Sequence, residues 1–173
     1  MKKYIGCKMV EAEPCCKVTT KVRGGKCNTS FVLPSETKTG GSEIVKIEDG
    51  YKVRYADGYE SWSPKDVFEE AYMEISDNNT ITQHNVAGFI KEVYSMTIGD
   101  KTTLVKVTLV NGFELCETSS CVDPKNYNEE IGVQICLDKI NDKIWHLLGF
   151  LLQTAIGGMK VEIAEKSEVK ENA

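Results

Sequence analysis

The sequence predicts an α+β fold built from two small units, and three patterns indicate it. Asp57-Gly58 and Asn111-Gly112 each separate two runs in which apolar and polar residues alternate, which is typical of a β-hairpin. Apolar residues also recur at steps of three to five between residues 131 and 151, which predicts a long helix with one apolar face. We therefore expect a small N-terminal β-rich unit with a short helix, followed by an antiparallel three-stranded meander packed on one long α-helix.

The N-terminal unit is expected to span residues 1–73. It should open with a strand from Lys3 to Val10, followed by a long loop over residues 14–42 that is rich in Gly, Thr, Ser and Lys. Strands should follow at residues 44–47, 51–55 and 59–62. A short helix should then begin with Ser63 as its N-cap and Pro64 at its first position.

The second unit is expected to span residues 84–158, after a polar linker at residues 74–83. Three strands are predicted over residues 89–98, 102–110 and 113–118, with a type I′ turn at Asn111-Gly112. Asn126 or Asn128 should cap the long helix, which should extend to about Thr154, and residues 159–173 should form a disordered charged tail. The residues expected on its apolar face are Ile131, Ile135, Ile140, Ile144, Leu147, Leu148 and Leu151.

Composition excludes several classes of protein. The chain has 173 residues and a formal charge of -5, and Arg23 and Arg54 are its only arginines, which argues against a duplex-DNA binder that neutralises phosphates. The N-terminus lacks the apolar core of a signal peptide, and the apolar run near residues 147–152 is too short to span a bilayer. We expect a soluble intracellular protein with no membrane contact.

The seven cysteines form an odd set without CxxC spacing, and His84 and His146 are the only histidines. In a reducing cytoplasm this pattern predicts free thiols, no metal site and no cofactor. Cys116 and Cys121 should be buried, because a free cysteine behaves as a small hydrophobic residue. The chain also lacks a Gly-rich phosphate loop and a paired-histidine metal motif, so we expect no enzymatic activity.

Residues 108–153 resemble a family of short tailed-phage proteins named after phage gene products 49 and 66. The resemblance rests on the NGF turn at residues 111–113, the Ser/Cys turn at 119–121, Pro124, the Asn-aromatic pair at 126–127, the EEIG segment at 129–132 and the K-I-W motif at 143–145. The N-terminal unit resembles a second phage and prophage module, through the strings YIGCKMVEAEP and DGYESWSPKDVFEEAY. Together the two resemblances imply a phage or prophage accessory protein in the cytoplasm of an infected or lysogenic bacterium.

Such a protein is expected to act as a non-catalytic binder that antagonises bacterial antiviral defence. In one version it sequesters a cyclic nucleotide immune signal, since a small sheet with a long helix is similar in layout to the phage sponges that counter Thoeris-type signalling. Lysine, arginine and helix N-terminal groups would hold phosphates, and an aromatic ring would stack on the base. The residues expected to contribute are Arg54, Lys106, Phe113, Ser119, Ser120, Asn126, Tyr127, Asn128 and Lys143.

In the alternative version an acidic face mimics nucleic acid and blocks a host nuclease, as anti-CRISPR proteins do. The acidic residues expected on this face are Glu43, Glu48, Asp49, Glu60, Asp66, Glu69 and Glu70. Each candidate residue also has a purely structural interpretation, since acids keep proteins soluble and aromatic residues build cores. A phage structural or assembly protein is the third hypothesis. It would require a broad oligomerisation face, and the exposed side of the long helix around Lys139, Asp142 and Lys143 is too polar to indicate one. A homo-oligomer stays an open alternative.

Overall fold

The computed structural model describes residues 1–3, 5–21, 26–37, 43–76 and 79–159. It confirms the α+β fold class, with N-terminal antiparallel sheets and a short helix, followed by a meander packed on a long helix. In chain order the strands and α-helices are β1 (Glu11–Pro14), β2 (Cys16–Lys21), β3 (Cys27–Val32), β4 (Glu43–Glu48), β5 (Gly50–Arg54), β6 (Glu60–Pro64), α1 (Lys65–Ala71), α2 (Gln83–Gly88), β7 (Ile90–Ile98), β8 (Thr102–Leu109), β9 (Glu114–Ser120) and α3 (Glu129–Gly157).

The N-terminal strands form two antiparallel sheets, ordered β1-β5-β6 and β3-β2-β4. The sheets are continuous along two long strands, because only Cys15 separates β1 from β2 and only Asp49 separates β4 from β5. The Cys15 amide donates to the Gly50 carbonyl at 2.8 Å, so the two breaks lie side by side. The N-terminal region is therefore one antiparallel ladder that bends at this point.

A small core lies at the bend. The side chains of Cys15, Cys16, Val18 and Val53 are buried there. Trp62 covers Gly50 so closely that a Cβ on the glycine would lie 2.6 Å from the indole ring. The indole N–H also donates to the Cys15 carbonyl at 2.9 Å, so Trp62 fixes the bend from one side.

Two predictions for this region are wrong. The first strand begins at Glu11, and the described residues among 1–10 contain no strand. Residues 14–42 are also not one loop, because they contain β2 and β3. These strands are rich in Thr and Val, which favour extended structure. β2 lacks an alternating apolar pattern, but it is held in the sheet because it pairs with β3 on one side and with β4 on the other. Residues 22–25 and 38–42 of the predicted loop lie outside the described residues.

Helix α1 begins later than predicted. Ser63 belongs to β6 and pairs with Tyr51, and Pro64 occupies the N-cap position without a side-chain cap. The predicted role of Ser63 as N-cap is therefore wrong, since the strand ladder holds its backbone. The helix packs by aromatic stacking, because the Phe68 ring lies 4.4 Å from Tyr51 and 4.7 Å from Tyr72.

The two predicted hairpins are present and use the same turn. Each turn contains a glycine with positive φ, which is 83° at Gly58 and 82° at Gly112. The amide of this glycine donates a hydrogen bond to the carbonyl three residues earlier, that of Tyr55 or Leu109. The side chain before it, Asp57 or Asn111, accepts from the amide two residues on at 3.0 Å. A type I′ turn also needs positive φ at Asn111, but Asn79 is the only non-glycine with positive φ in the described chain. The turn is thus a type I turn followed by a left-handed glycine, not the predicted type I′.

The predicted three-stranded meander and the long helix that packs on it are both present. The strands pair in the order β7-β8-β9, and alternate residues of β8 are buried beneath α3. Residues of α3 at steps of four face them and complete the main core. The buried residues of this contact are Thr103, Val105, Val107 and Leu109 on β8 and Gly132, Cys136, Ile140, Ile144 and Leu148 on α3.

Helix α2 was not predicted, and it begins where the linker was expected to end. Thr82 and Asn85 form a reciprocal capping box at its start. The Asn85 side chain also donates to the Glu74 carbonyl at 2.7 Å, and Val86 joins the main core. The sequence signal for this helix is the Thr-x-x-Asn spacing of Thr82 and Asn85, in which asparagine replaces the usual Glu or Gln.

The boundaries of α3 are close to those predicted. The Asn128 side chain accepts from the Ile131 amide at 3.1 Å and is the N-cap, whereas Asn126 ends a short 3-10 turn before it. The predicted apolar face is only partly correct, because the buried series steps by four and includes Gly132 and Cys136. The predicted core residues that are exposed are Ile131, Ile135, Leu147 and Leu151.

The helix stops at Gly158, whose φ of 73° ends helical geometry. The predicted disordered tail lies outside the described residues from position 160 onward. Within the described part of the chain, no helix combines the length and apolar character needed to cross a membrane.

Candidate functional site

A shallow cleft of about 400 Å³ lies between the start of β9 and the middle of α3. Its walls are mostly apolar, with the charged residues at the rim. The strand contributes Phe113 and Leu115, and the helix contributes Asp142, Lys143, His146 and Leu147. The structure thus brings together two of the predicted ligand residues, Phe113 and Lys143.

The hairpin turn before β9 presents Phe113 at the cleft. The Asn111 side chain fixes the Phe113 amide, and the Phe113 carbonyl accepts from the Leu109 amide at 2.8 Å. Hydrogen bonds therefore hold both the amide and the carbonyl of Phe113, while 55% of the surface of this residue remains exposed. Leu115 follows on the face of β9 that α3 covers, and it packs against the main core, so the floor of the cleft rests on that core.

A salt bridge closes one end of the cleft. Lys143 donates to the Glu117 carboxylate on β9, and this hydrogen bond lowers the pKa of Glu117. One turn earlier, Lys139 donates to the Thr118 carbonyl at 3.0 Å. The positive charge of Lys143 is thus already balanced, so an incoming phosphate would meet a neighbouring carboxylate.

The other predicted phosphate ligands lie elsewhere. Lys106 points to the face of the sheet opposite α3, where it pairs with Glu114 at 2.8 Å, and this contact raises the pKa of Lys106. Arg54 lies on β5 in the N-terminal ladder, 3.2 Å from Glu60 and 3.5 Å from Glu11. The three cations predicted to share a ligand therefore occupy separate places, and each faces a carboxylate.

The segment from Ser119 to Asn128, between β9 and α3, is a structural joint. Tyr127 inserts its hydroxyl between Thr97 and Thr103, at 2.8 and 2.9 Å from their hydroxyl oxygens. Thr103 in turn packs against Gly132, where a Cβ would lie 2.2 Å from the threonine oxygen. This packing holds the start of α3 against the sheet.

The remaining predicted ligand residues at the joint have different neighbours. Ser120 bonds to the Thr102 hydroxyl at 2.8 Å, while Ser119 pairs with Thr103 across the ladder. Asn126 is exposed at the end of the 3-10 turn, and Asn128 is the helix cap. These contacts give the residues of the joint a structural role in the fold. The joint lies at the opposite end of β9 from the cleft.

The seven residues of the predicted acidic face are spread over β4, β6 and α1 and the bend at Asp49. Glu48 pairs with Lys46 at 2.7 Å, and Glu60 pairs with Lys52 at 2.9 Å. These contacts lower the pKa of both carboxyl groups. Other acids have hydrogen-bond partners, since Asp49 accepts from the Cys16 thiol at 3.3 Å and Glu69 accepts from the Tyr51 hydroxyl at 2.9 Å. Glu43, Asp66 and Glu70 are exposed on β4 and α1.

All seven cysteines are free thiols in the structure. Burial is the main cause that raises the pKa of Cys15, Cys16 and Cys136. The prediction that Cys116 is buried is wrong, because it points to the open face of the meander beside Lys106. Its neighbour Cys121 is half-buried.

The sequence interpretation missed His146 and Leu147 as parts of a site. Both lie in an apolar helical pattern, which predicts the core face of the helix for Leu147. The available signal was the absence of Asp, Glu, Lys and Arg from Ile144 to Gly157, which is unusual for the surface of a helix.

Residues 81–156 match the model of a phage protein family described as N4 Gp49/phage Sf6 gene 66. The matched range contains α2, the meander and almost all of α3, and therefore every residue of the cleft. The match does not extend to the N-terminal ladder, so the resemblance of that module remains a prediction. No curated protein and no solved structure gave a significant match to the chain.

Proposed function

Because residues 81–156 match the model of the phage protein family described as N4 Gp49/phage Sf6 gene 66, we propose that this chain is a non-catalytic accessory protein of a phage or prophage. Its role is to bind a protein component of bacterial antiviral defence in the host cytoplasm. The contact site is the cleft between Phe113 and Leu147. The observation that supports this proposal is the exposed apolar wall of the cleft above a floor that packs on the main core.

The chemistry of the cleft favours an apolar side chain of a partner protein. Phe113 is 55% exposed and Phe150, one turn beyond Leu147 on α3, is 70% exposed. Exposed aromatic residues beside a preformed depression are the typical anchors of protein interfaces. A partner that fills this cleft would bury apolar surface. The Lys143–Glu117 salt bridge would stay at the solvent-exposed rim of the contact, where little free energy is spent on desolvating its charges.

A cyclic nucleotide signal is the second candidate ligand, and one observation favours it. Phe113 and Lys143 line the same cleft, so a base could stack on the ring while a phosphate approaches the ammonium group. The nearby Glu117 carboxylate opposes this arrangement, because it would repel the phosphate or would have to release Lys143. We therefore rank the nucleotide below the protein partner.

The test is a plaque assay in bacteria that carry a nucleotide-signalling or a nuclease-based immune system. Expression of the chain should raise the plating efficiency of a sensitive phage in at least one of these strains. Phe113→Asp and Leu147→Asp should abolish this effect, since a buried carboxylate would oppose the apolar contact. Val122→Asp is the matched control, because Val122 is 95% exposed and lies outside the cleft.

Lys143→Gln separates the two ligands. It should reduce activity less than the aspartate changes if the partner is a protein, and it should abolish activity if the ligand is a nucleotide. Native mass spectrometry of chain purified from the protected strain gives a direct reading, since a bound nucleotide would favour the second candidate. Full activity of both cleft variants, with circular dichroism showing an intact fold, would contradict the assignment of the cleft.

A further inference from the structure

Helix α3 carries a second apolar stripe, on the side turned away from the sheet. Its positions are separated alternately by four and three residues from 131 to 156, which is the spacing of helices that pair with other helices. Six of the eight positions are apolar or glycine. They are Ile131, Ile135, Trp145, Gly149, Leu152 and Ile156.

The stripe is open to solvent over most of its length. Ile131 is 60% exposed, Ile135 41% and Ile156 56%. Gly149 leaves a gap in the middle of the exposed half, since a Cβ there would meet nothing within 4 Å. Large exposed apolar surfaces of this kind mark contact sites, and a glycine at the centre lets a second backbone approach closely.

The length of the stripe suits a stable helix pair. From Ile131 to Ile156 the helix rises by about 38 Å at 1.5 Å per residue. Two helices in contact over this distance, together with the flanking side chains, can approach the roughly 800 Å² per partner of a standard interface. The chain itself supplies a helix of the right length and spacing for the other side of such a contact.

The charges on the stripe select the orientation of the pair. Asp138 and Asp142 occupy its two polar positions, whereas the half of α3 from Ile144 to Gly157 contains no Asp, Glu, Lys or Arg. A parallel pair would place each aspartate against its own copy, and like charges in contact are destabilising. An antiparallel pair places the two aspartates opposite Gly149 and Trp145, and the isoleucines at the two ends opposite each other.

We propose that a second copy of this chain packs antiparallel against this stripe and forms a two-fold symmetric dimer through α3. The same patch serves both copies, as an isologous interface requires. Ile131 contacts Ile156 of the partner subunit, and Asp142 lies beside Trp145 of the partner subunit. Asp142 belongs to both the stripe and the wall of the cleft, so the dimer contact borders the cleft in each copy.

Sedimentation velocity on the full chain over a concentration series tests this proposal. The wild type should show a reversible monomer–dimer equilibrium. Ile131→Glu and Ile156→Lys should each weaken dimerisation by about tenfold or more, because each places two charges in the apolar contact of the symmetric dimer. The double variant should recover dimerisation, because in the antiparallel pair the new glutamate faces the new lysine of the partner subunit.

Val122→Glu serves as the control for surface charge and should leave the equilibrium unchanged. Circular dichroism and thermal melts establish that every variant is folded. A wild type that stays monomeric over the whole series would overturn the proposal. So would single variants that dimerise like the wild type, or a double variant that is no better than the singles, since a parallel pair or a different surface would give that result.

Discussion

The N-terminal ladder and the C-terminal meander bury very different side chains. Beneath α3 the core consists of Val, Leu and Ile with one cysteine, and α2 adds Val86 to the same cluster. At the bend of the N-terminal ladder the buried hydrophobic residues are two valines and two cysteines. The meander is thus stabilised by hydrophobic packing, whereas the ladder depends more on strand pairing, on Trp62 and on partly exposed aromatic stacks and ion pairs.

Truncation of one core residue in each region should expose this difference. Ile144→Ala should lower the free energy of unfolding of the C-terminal region by about 2–5 kcal/mol, since Ile144 is completely buried in the main core. Val53→Ala should lower the free energy of unfolding of the N-terminal region by only about 1.5 kcal/mol, because it removes two methyl groups and each contributes about 0.8 kcal/mol when buried.

Urea unfolding can follow both regions separately, because each contains one tryptophan. Trp62→Phe leaves Trp145 on α3 as the reporter of the C-terminal region, and Trp145→Phe leaves Trp62 at the bend. If each truncation lowers the free energy of unfolding by the same amount at both tryptophans, the two regions unfold as one cooperative unit, and the comparison between them fails.

Two glycines of α3 sharpen the contrast between the packed and the open side of the helix. Gly132→Ala should destabilise the chain by about 1–3 kcal/mol, because the new Cβ would collide with Thr103 and displace the start of the helix. Gly149→Ala should instead stabilise the monomer by up to about 1 kcal/mol through helix propensity, since nothing in the same chain lies near its Cβ. Thermal and urea unfolding of both variants would show whether the free energy of unfolding falls for one and rises for the other. An equal change in both variants would show that helix propensity alone determines their stability.

The smallest expected effect concerns the salt bridge at the cleft. Lys143 lowers the pKa of Glu117 in the folded state, so the stabilisation is present above the unfolded pKa of about 4.3 and is lost as the pH falls through the folded pKa. Glu117→Gln should therefore cost less than about 1 kcal/mol at pH 7, with a difference from the wild type that disappears towards pH 3. In a Lys143→Gln background this pH-dependent difference should be much reduced, and a difference that persists would assign the effect to another partner of Glu117.

The same contrast explains how much could be predicted from the sequence. The strands of the meander and the helix were predictable, because periods of two and of three to four residues are visible where one face is buried in a large core. In β2 only alternate residues such as Val18 are buried, and the intervening lysine and threonines obscure the pattern. The segment that contains β2 and β3 therefore resembles a loop in the sequence, whereas the other strands of the ladder after residue 42 are predictable.

The candidate site was predictable only as separate residues. Phe113 and Lys143 were both expected to contact a ligand, and they do line one cleft. Lys143 and Glu117 are 26 residues apart in sequence, however, and no local pattern indicates that they form a pair. The exposure of Ile131 and Ile135 was likewise hidden, because a helix with apolar residues on two sides offers two possible core faces, and the sequence does not say which one the sheet covers.

The contact between Lys139 and the Thr118 carbonyl bears on aggregation. β9 is an outer strand of its sheet in the described chain, and the free edge of a strand can recruit a strand of another molecule into amyloid-like stacks. The ammonium group of Lys139 occupies a backbone acceptor of β9 and places a hydrated charge beside it. On the opposite edge, an irregularity in β7 between Ile90 and Glu92 interrupts the regular ladder. Both outer strands of the meander therefore carry features that disfavour the growth of fibrils from their edges.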